Sequence, residues 1–261
     1  GLLGKKNEKI LKGVLKEFRK IGYVMHVRVM SAENYGVPQK RRRTIFIGNR
    51  IGYETKFPIP THGKSEKLKP LVTIGDAIGN MKIKNGEILN HDVESAKISK
   101  ELIRKRVEKV PEGKGIRYKE DERAYLPKKL WLGVDWDTIG EGRLREEQYH
   151  RLGRDEVAPT IMTSRHTYFH PTETRYLTCR EAAAIQSFPN NYKFVGSISQ
   201  QWRQIGNAVP PLLGKAIGKA ILKSLKTKKK ATTLESQVIR QNAFSYEKDL
   251  TRDLLPLTKF A

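Results

Sequence analysis

Apolar residues at positions 10, 11, 14, 15, 18 and 21 recur three and four apart, with lysines between them. Ile10, Leu11, Val14, Leu15, Phe18 and Ile21 therefore share one side of a helix over 6–21 that lies on a core. Gly22 ends it. The period then falls to two. "YVMHVRVM" and "RTIFIG" read as strands rich in β-branched and aromatic residues, and "NYGVP" between them is loop chemistry. A helix followed by two strands is an α/β pattern. From about Thr55 to Arg154 periodicity fades and Pro, Gly and charge dominate. "PIPTHGKSEKLKP" has the composition of a linker, "SKELIRKRVEKVPEGKG" holds a short basic helix, and "LWLGVDWDTIGEG" keeps neither phase. Its Trp, Tyr and Leu content predicts a small domain with long loops rather than disorder. Order returns after Val157. "APTIMTS" is strand-like. "TCREAAAIQSF" is a short helix with Thr178 as N-cap and Glu181 three residues on. "VPPLLGKAIGKAILKSLK" is a helix with prolines in its first turn, where no N–H is needed. The lysine-rich tail beyond it takes no assignment.

Charge changes the picture. The 261 residues carry 51 Lys and Arg against 28 Asp and Glu, a net +23. Such a chain repels itself unless a polyanion is near, and nucleic acid is the expected partner because neutralised phosphates release counterions. No stretch approaches the ~20 apolar residues of a membrane span, and no signal peptide is visible. A single cysteine, Cys179, excludes an internal disulfide and a cysteine-based zinc site. His91, His166 and His170 have no metal-ligand spacing, so no metal is expected. The expectation is a soluble intracellular protein. The chain opens on Gly1 rather than Met, which suggests a piece of something longer.

Three stretches then coincide in order: "GVPQKRRRTIFIG", "RYLTCREAAAIQSFPNNYKF" and "QWRQIGNAVPPLLGKAI". Together they resemble the late motifs of the DNA cytosine-5 methyltransferases. Gln39, Arg41 and Arg43 match the family's Gln-x-Arg-x-Arg element. Leu177 to Pro189 match Leu-Thr-x-Arg-Glu-Ala-Ala-x-x-Gln-x-Phe-Pro, and Gly206 to Pro211 match Gly-Asn-Ala-Val-Pro-Pro. The resemblance spans roughly residues 1–222. The family's Pro-Cys nucleophile, Glu-Asn-Val motif and glycine-rich cofactor loop are not in this sequence, so the likeness is to the C-terminal half. A second polypeptide, or a removed part of this one, would supply the rest.

The resemblance implies an α/β fold: the C-terminal part of a Rossmann-like S-adenosylmethionine-dependent methyltransferase sheet, with a small, irregular, mostly β target-recognition domain. It places catalytic-domain strands and helix in 1–55, recognition in 56–165, return helices in 166–225 and an unassigned tail in 226–261. It implies methylation of C5 of a flipped cytosine in double-stranded DNA, with S-adenosyl-L-methionine, in a restriction-modification system. Gln39, Arg41 and Arg43 alternate, so a strand would send them to one face and Lys40 and Arg42 to the other. By resemblance Arg43 lies nearest the base and Arg41 orients the site. Asn207 and Ala208 would close over the cofactor. Arg180 and Glu181 would join the catalytic core to the recognition domain. Arg42, Arg143, Arg145 and Arg165 are the candidates for DNA contact. Cys179 sits at a helix start, a place that lowers a thiol pKa, yet reads as a packed side chain. Two alternatives remain open: a catalytically inactive DNA-targeting module that directs a partner, and an RNA methyltransferase of the same superfamily.

Overall fold

The computed structural model describes residues 7–230, 237–239 and 255–256. Helix α1 (Glu8–Lys20) leads into strands β1 (Val24–Ser31) and β2 (Arg42–Asn49). The middle region holds α2 (Ile74–Ile78), β3 (Ile83–Lys84), β4 (Glu87–Ile88), β5 (His91–Asp92), α3 (Glu101–Lys109), β6 (Ile116–Tyr118), α4 (Lys119–Tyr125) and β7 (Arg143–Gln148). Then come α5 (Cys179–Ile185), α6 (Ile198–Asn207), α7 (Pro211–Thr227), β8 (Gln237–Ile239) and β9 (Leu255–Pro256). The described part of the main sheet runs β2-β1-β8-β9.

Strands β1 and β2 pair antiparallel over their full length, with Val27 opposite Phe46 and Met30 opposite Arg43. A single 3-10 turn, Ala32–Tyr35, follows β1 and ends at Gly36 with φ 81°. A Cβ on Gly36 would stand 2.8 Å from the His62 ring, so both backbone shape and space require glycine there. Strand alternation then divides the hairpin between two layers. Met25, Val27 and Phe46 meet Leu11 and Leu15 of α1. Met30 and Ile45 meet Val37, with Leu213, Ala216 and Ile217 of α7. Helices α1 and α7 thus cover opposite faces of the hairpin, an α/β/α arrangement. The cover on α1 is partial. Leu11 and Leu15 are buried, whereas Ile10 and Ile21 are each 57% exposed.

Several expectations change. Residues 56–165 are not mostly β. Strands β3, β4 and β5 are two residues each, and helices α2, α3 and α4 hold more of the region than its strands do. Helix α3 earns its place through side chains: Arg104 bonds Glu101 and Glu108, and Val107 is fully buried. Nor is the stretch after β2 a slack linker. The Tyr35 hydroxyl donates to the Pro58 carbonyl at 2.9 Å, and the Thr61 and His62 amides donate to the Asn34 carbonyl. The main core crosses the 165/166 line: Ile74, Ile78, Leu152, Ala158 and Ile161 pack with Leu177, Ile185, Trp202 and Ile205. "APTIMTS" is extended but forms one parallel bridge, Ala158 with Gln39, rather than a strand. Of the tail, residues 231–236, 240–254 and 257–261 lie outside the described residues.

Candidate functional site

Leading into β2, buried and exposed polar side chains alternate. Gln39 and Arg41 are 0% and 2% exposed, while Lys40 and Arg42 face solvent. Gln39 uses both ends of its amide. Its Oε1 accepts from the Ile161 amide at 2.8 Å, and its Nε2 donates to Gln186 Oε1 at 2.9 Å. Gln186, just past α5, in turn donates to the Ile205 carbonyl in α6 at 2.7 Å. Arg41 donates to the Ile161 carbonyl at 3.2 Å and to the Gly206 carbonyl at 2.6 Å. These bonds explain why 158–161 needs no sheet. The Ala158 amide donates to the Pro38 carbonyl, the Lys40 amide to the Ala158 carbonyl, and side chains take the groups of Ile161. One buried polar knot therefore fastens the approach to β2, the 158–161 segment, α5 and the end of α6.

Gly206 completes the knot by closeness. A Cβ on it would lie 2.6 Å from the carbonyl carbon and oxygen of Met162. Burial, and then the neighbouring charge of Arg43, lower the Arg41 pKa to about 10. Arg41 stays cationic at neutral pH, compensated by carbonyls and by no carboxylate among the described residues. Arg43 lies beyond it, exposed, with Nη1 donating to the Arg42 carbonyl at 2.8 Å. Asn207 and Ala208 follow Gly206 directly; Asn207 is exposed and Ala208 half-buried. The fold thus brings Gln39, Arg41, Arg43, Asn207 and Ala208 around one knot.

Arg180 and Glu181 lie at the first turn of α5. Thr178 caps this helix, and Glu181 returns the bond. Arg180 is fully buried. It donates to the carbonyls of Pro189 (3.1 Å) and Tyr192, and its Nη2 lies 3.5 Å from His91 Nδ1 at β5. Glu181 receives both arms of Arg175 at 2.8 Å, with His170 Nε2 at 3.4 Å. Burial would raise its pKa, but the bonds from Arg175 and His170 win and hold it at about 2.

The remaining candidates are scattered. Arg42 is exposed at the start of β2. Arg143 and Arg145 stand on β7, and Arg143 is paired with Glu141 at 2.5 Å. Arg165 donates to the Ser95 carbonyl, so its guanidinium braces the chain. Cys179 is corrected in one respect. Burial pushes its thiol up to about 12, overriding the helix start, and leaves it without nucleophilic character. Reading by sequence missed Gln186, Arg175 and Glu33. Gln186 lies inside the quoted Leu177–Pro189 stretch, so its position was visible but not its role. Glu33 is buried beside Lys40 and Arg42 with its pKa raised by burial, a site no pattern marks. Among the described residues no group of His, Cys, Asp or Glu could hold a metal ion, and no helix is long and apolar enough to cross a membrane.

A family model described as C-5 cytosine-specific DNA methylase matches residues 1–223. The type II methyltransferase M1.HphI of Haemophilus parahaemolyticus is 36% identical over 214 residues, covering 80% of this chain and 51% of its own length. The type II methyltransferase M.NgoFVII of Neisseria gonorrhoeae is 31% identical, covering 97% of this chain and 64% of its own. The chain thus spans between half and two-thirds of these relatives. Among solved structures, a protein described as a DNA modification methyltransferase encoded within a prophage of E. coli superposes with a TM-score of 0.59 at 19% identity. That match covers 87% of this chain and 67% of the other, a likeness of fold.

Proposed function

The chain belongs to the C-5 cytosine-specific DNA methylase family, and from that premise we propose that it is the C-terminal portion of a DNA cytosine-5 methyltransferase of a restriction-modification system. It acts on double-stranded DNA together with an amino-terminal half that carries the glycine-rich loop, Pro-Cys and Glu-Asn-Val. The observation that carries this reading is the buried knot. Gln39 and Arg41 fix the start of β2, with Arg41 bonded to the Gly206 carbonyl, and Arg43, two residues on, is an exposed cation.

Chemistry at C5 needs the cytosine out of the duplex, with charge on its ring stabilised as a nucleophile adds. Arg43 supplies a planar guanidinium with no carboxylate partner among the described residues, suited to a carbonyl oxygen or a phosphate. Arg41 ties the start of β2 to the end of α6 through the Gly206 carbonyl and is itself 2% exposed. S-adenosylmethionine, when bound, supplies the methyl group. Asn207 offers it an exposed amide and Ala208 a small apolar contact, and Gly206 keeps the turn tight against 162–163. These residues fit one wall of such a site; the others belong to the completing half. The chain's own thiol is no substitute nucleophile, since Cys179 is buried and protonated. Residues 56–165 serve recognition of the target sequence, with Arg42, Arg143 and Arg145 toward DNA. Arg180 ties α5 to this region through His91.

The test is transfer of labelled methyl from S-adenosylmethionine to cytosine C5 in duplex DNA, by this chain alone and by this chain with the completing half, each with and without Cys179→Ser. Activity confined to the pair and kept in Cys179→Ser is expected. Activity of the lone chain that vanishes in Cys179→Ser would overturn the reading.

A further inference from the structure

Helix α7 faces three ways. Leu213, Ala216 and Ile217 pack onto the hairpin. Lys215, Lys219 and Lys223 follow at four-residue steps and stack along another face. With Lys56, on the chain returning from β2, they rim a groove of about 450 Å3. Apart from Tyr35 and Thr61, its other lining is apolar: Phe57, Pro58, Ile59, Leu212, Ala216 and Ala220. Ile59 remains 66% exposed and Leu212 38% exposed, so the apolar lining is open to water.

Two features of this groove need an explanation. Like charges four apart on a helix repel. Lys56 finds Glu54 at 3.7 Å, but Lys215, Lys219 and Lys223 form no ion pair among the described residues. A solvated lysine face would account for the charges and leave the apolar floor unexplained. A DNA backbone would take the charges and leave the floor uncovered. One occupant satisfies both.

We infer that the groove is a docking site for an acidic amphipathic helix of a partner protein. Apolar side chains of that helix fill the floor over Phe57, Ala216 and Ala220, and its carboxylates meet the lysine row. The small Ala216 and Ala220 let the partner approach closely. Lys215 to Lys223 span ~12 Å of helix axis, so a partner of two to three turns suffices. None of the lining residues belongs to the knot of Gln39, Arg41 and Gln186, so the inference stands apart from the methyltransferase reading.

The probe is a synthetic peptide of about five turns, with Leu at helical three–four spacing and Glu elsewhere. A peptide of the same composition in scrambled order and a DNA duplex are the comparisons. Fluorescence anisotropy with the full chain gives each affinity. The ordered peptide should bind at least about tenfold more tightly than the scrambled one. Ala220→Trp, which fills the floor, and the triple variant Lys215→Gln, Lys219→Gln, Lys223→Gln should each weaken it by about tenfold or more. Duplex binding should be unchanged by Ala220→Trp. The triple change is on the surface and gives a second reading should Ala220→Trp unfold the chain. Equal binding of the two peptides, or ordered-peptide affinity untouched by the triple change, overturns the inference. Loss of duplex binding in the triple variant without any preference for the ordered peptide would assign the lysines to a nucleic-acid track instead.

Discussion

Gln186 has no charge and touches no solvent, yet it joins two parts of the site. Its amide accepts from Gln39 and donates to the Ile205 carbonyl. Gln186→Leu keeps the volume and strands both partners. Each orphaned group should cost about 1–3 kcal/mol, read as a fall in the urea midpoint with unchanged slope. A midpoint equal to the parent would mean the knot does not hold the fold. Arg43 is the opposite kind of residue, exposed and, among the described residues, hydrogen-bonded to a neighbouring carbonyl alone. Removing it should leave stability alone. In the assembled enzyme Arg43→Ala should cost ~2–4 kcal/mol of transition-state stabilisation while duplex binding survives. Single-turnover methylation at the parental rate would remove Arg43 from the reacting base.

At the scale of elements, α5 is held by charge as much as by packing. Glu181 is nearly fully buried, with Arg175 on two arms and His170 close by. Its folded pKa, about 2, lies below its ordinary 4.5. A depressed carboxylate contributes stability above its unfolded pKa, and the contribution is lost as pH falls through the folded one. Stability should therefore decline between roughly pH 4.5 and 2, and Glu181→Gln should flatten that decline. The same variant should cost about 3 kcal/mol at pH 7, since Arg175 keeps Glu173 as a second partner. Thermal melts of both proteins across this pH window give the comparison; parallel curves would place the acid sensitivity elsewhere. Elements of this type also mark what the sequence could reveal. Helices α1 and α7 and strands β1 and β2 follow from apolar periodicity, because each buries one stripe or one face. The Thr178–Glu181 box was legible for the same local reason. In the middle region the short basic helix expected within 99–115 is present as α3, but the rest was not legible, because its order comes from single long-range bonds. Arg106 holds the carbonyls of Leu130 and Trp131, Glu122 takes the indole N–H of Trp136, and Arg151 caps α3 through the carbonyls of Val107 and Val110. No periodicity encodes such bonds. The knot was half legible: alternation placed Gln39 and Arg41 together, but only folding brings Gln186 and Gly206 to them.

At the scale of the whole molecule, the layers stop short of closure. Strand β2 pairs with β1 on one side and forms the edge of the described sheet on the other. It carries Ile45, Phe46 and Ile47 in a row, with neither proline nor bulge to guard that edge. On one face α1 leaves Ile10, Phe18 and Ile21 exposed at 57%, 38% and 57%; on the other α7 leaves Leu222 and Leu225 exposed at 57% and 43%. On the proposed C-terminal-half reading, the sheet would continue at this open edge between two half-covered helices. The relatives, with about half as much chain again or more, have the material to continue it. The lone chain should therefore self-associate and bind a hydrophobic dye at concentrations of ~10 μM, because open edges and apolar faces of this kind recruit other copies. Adding the completing half should abolish both the dye signal and the excess mass in sedimentation, and should protect alternate β2 amides from exchange. A lone chain that sediments as a monomer without binding dye would show that α1, α7 and β2 need no further cover, and the half-enzyme reading would then have to rest on chemistry alone.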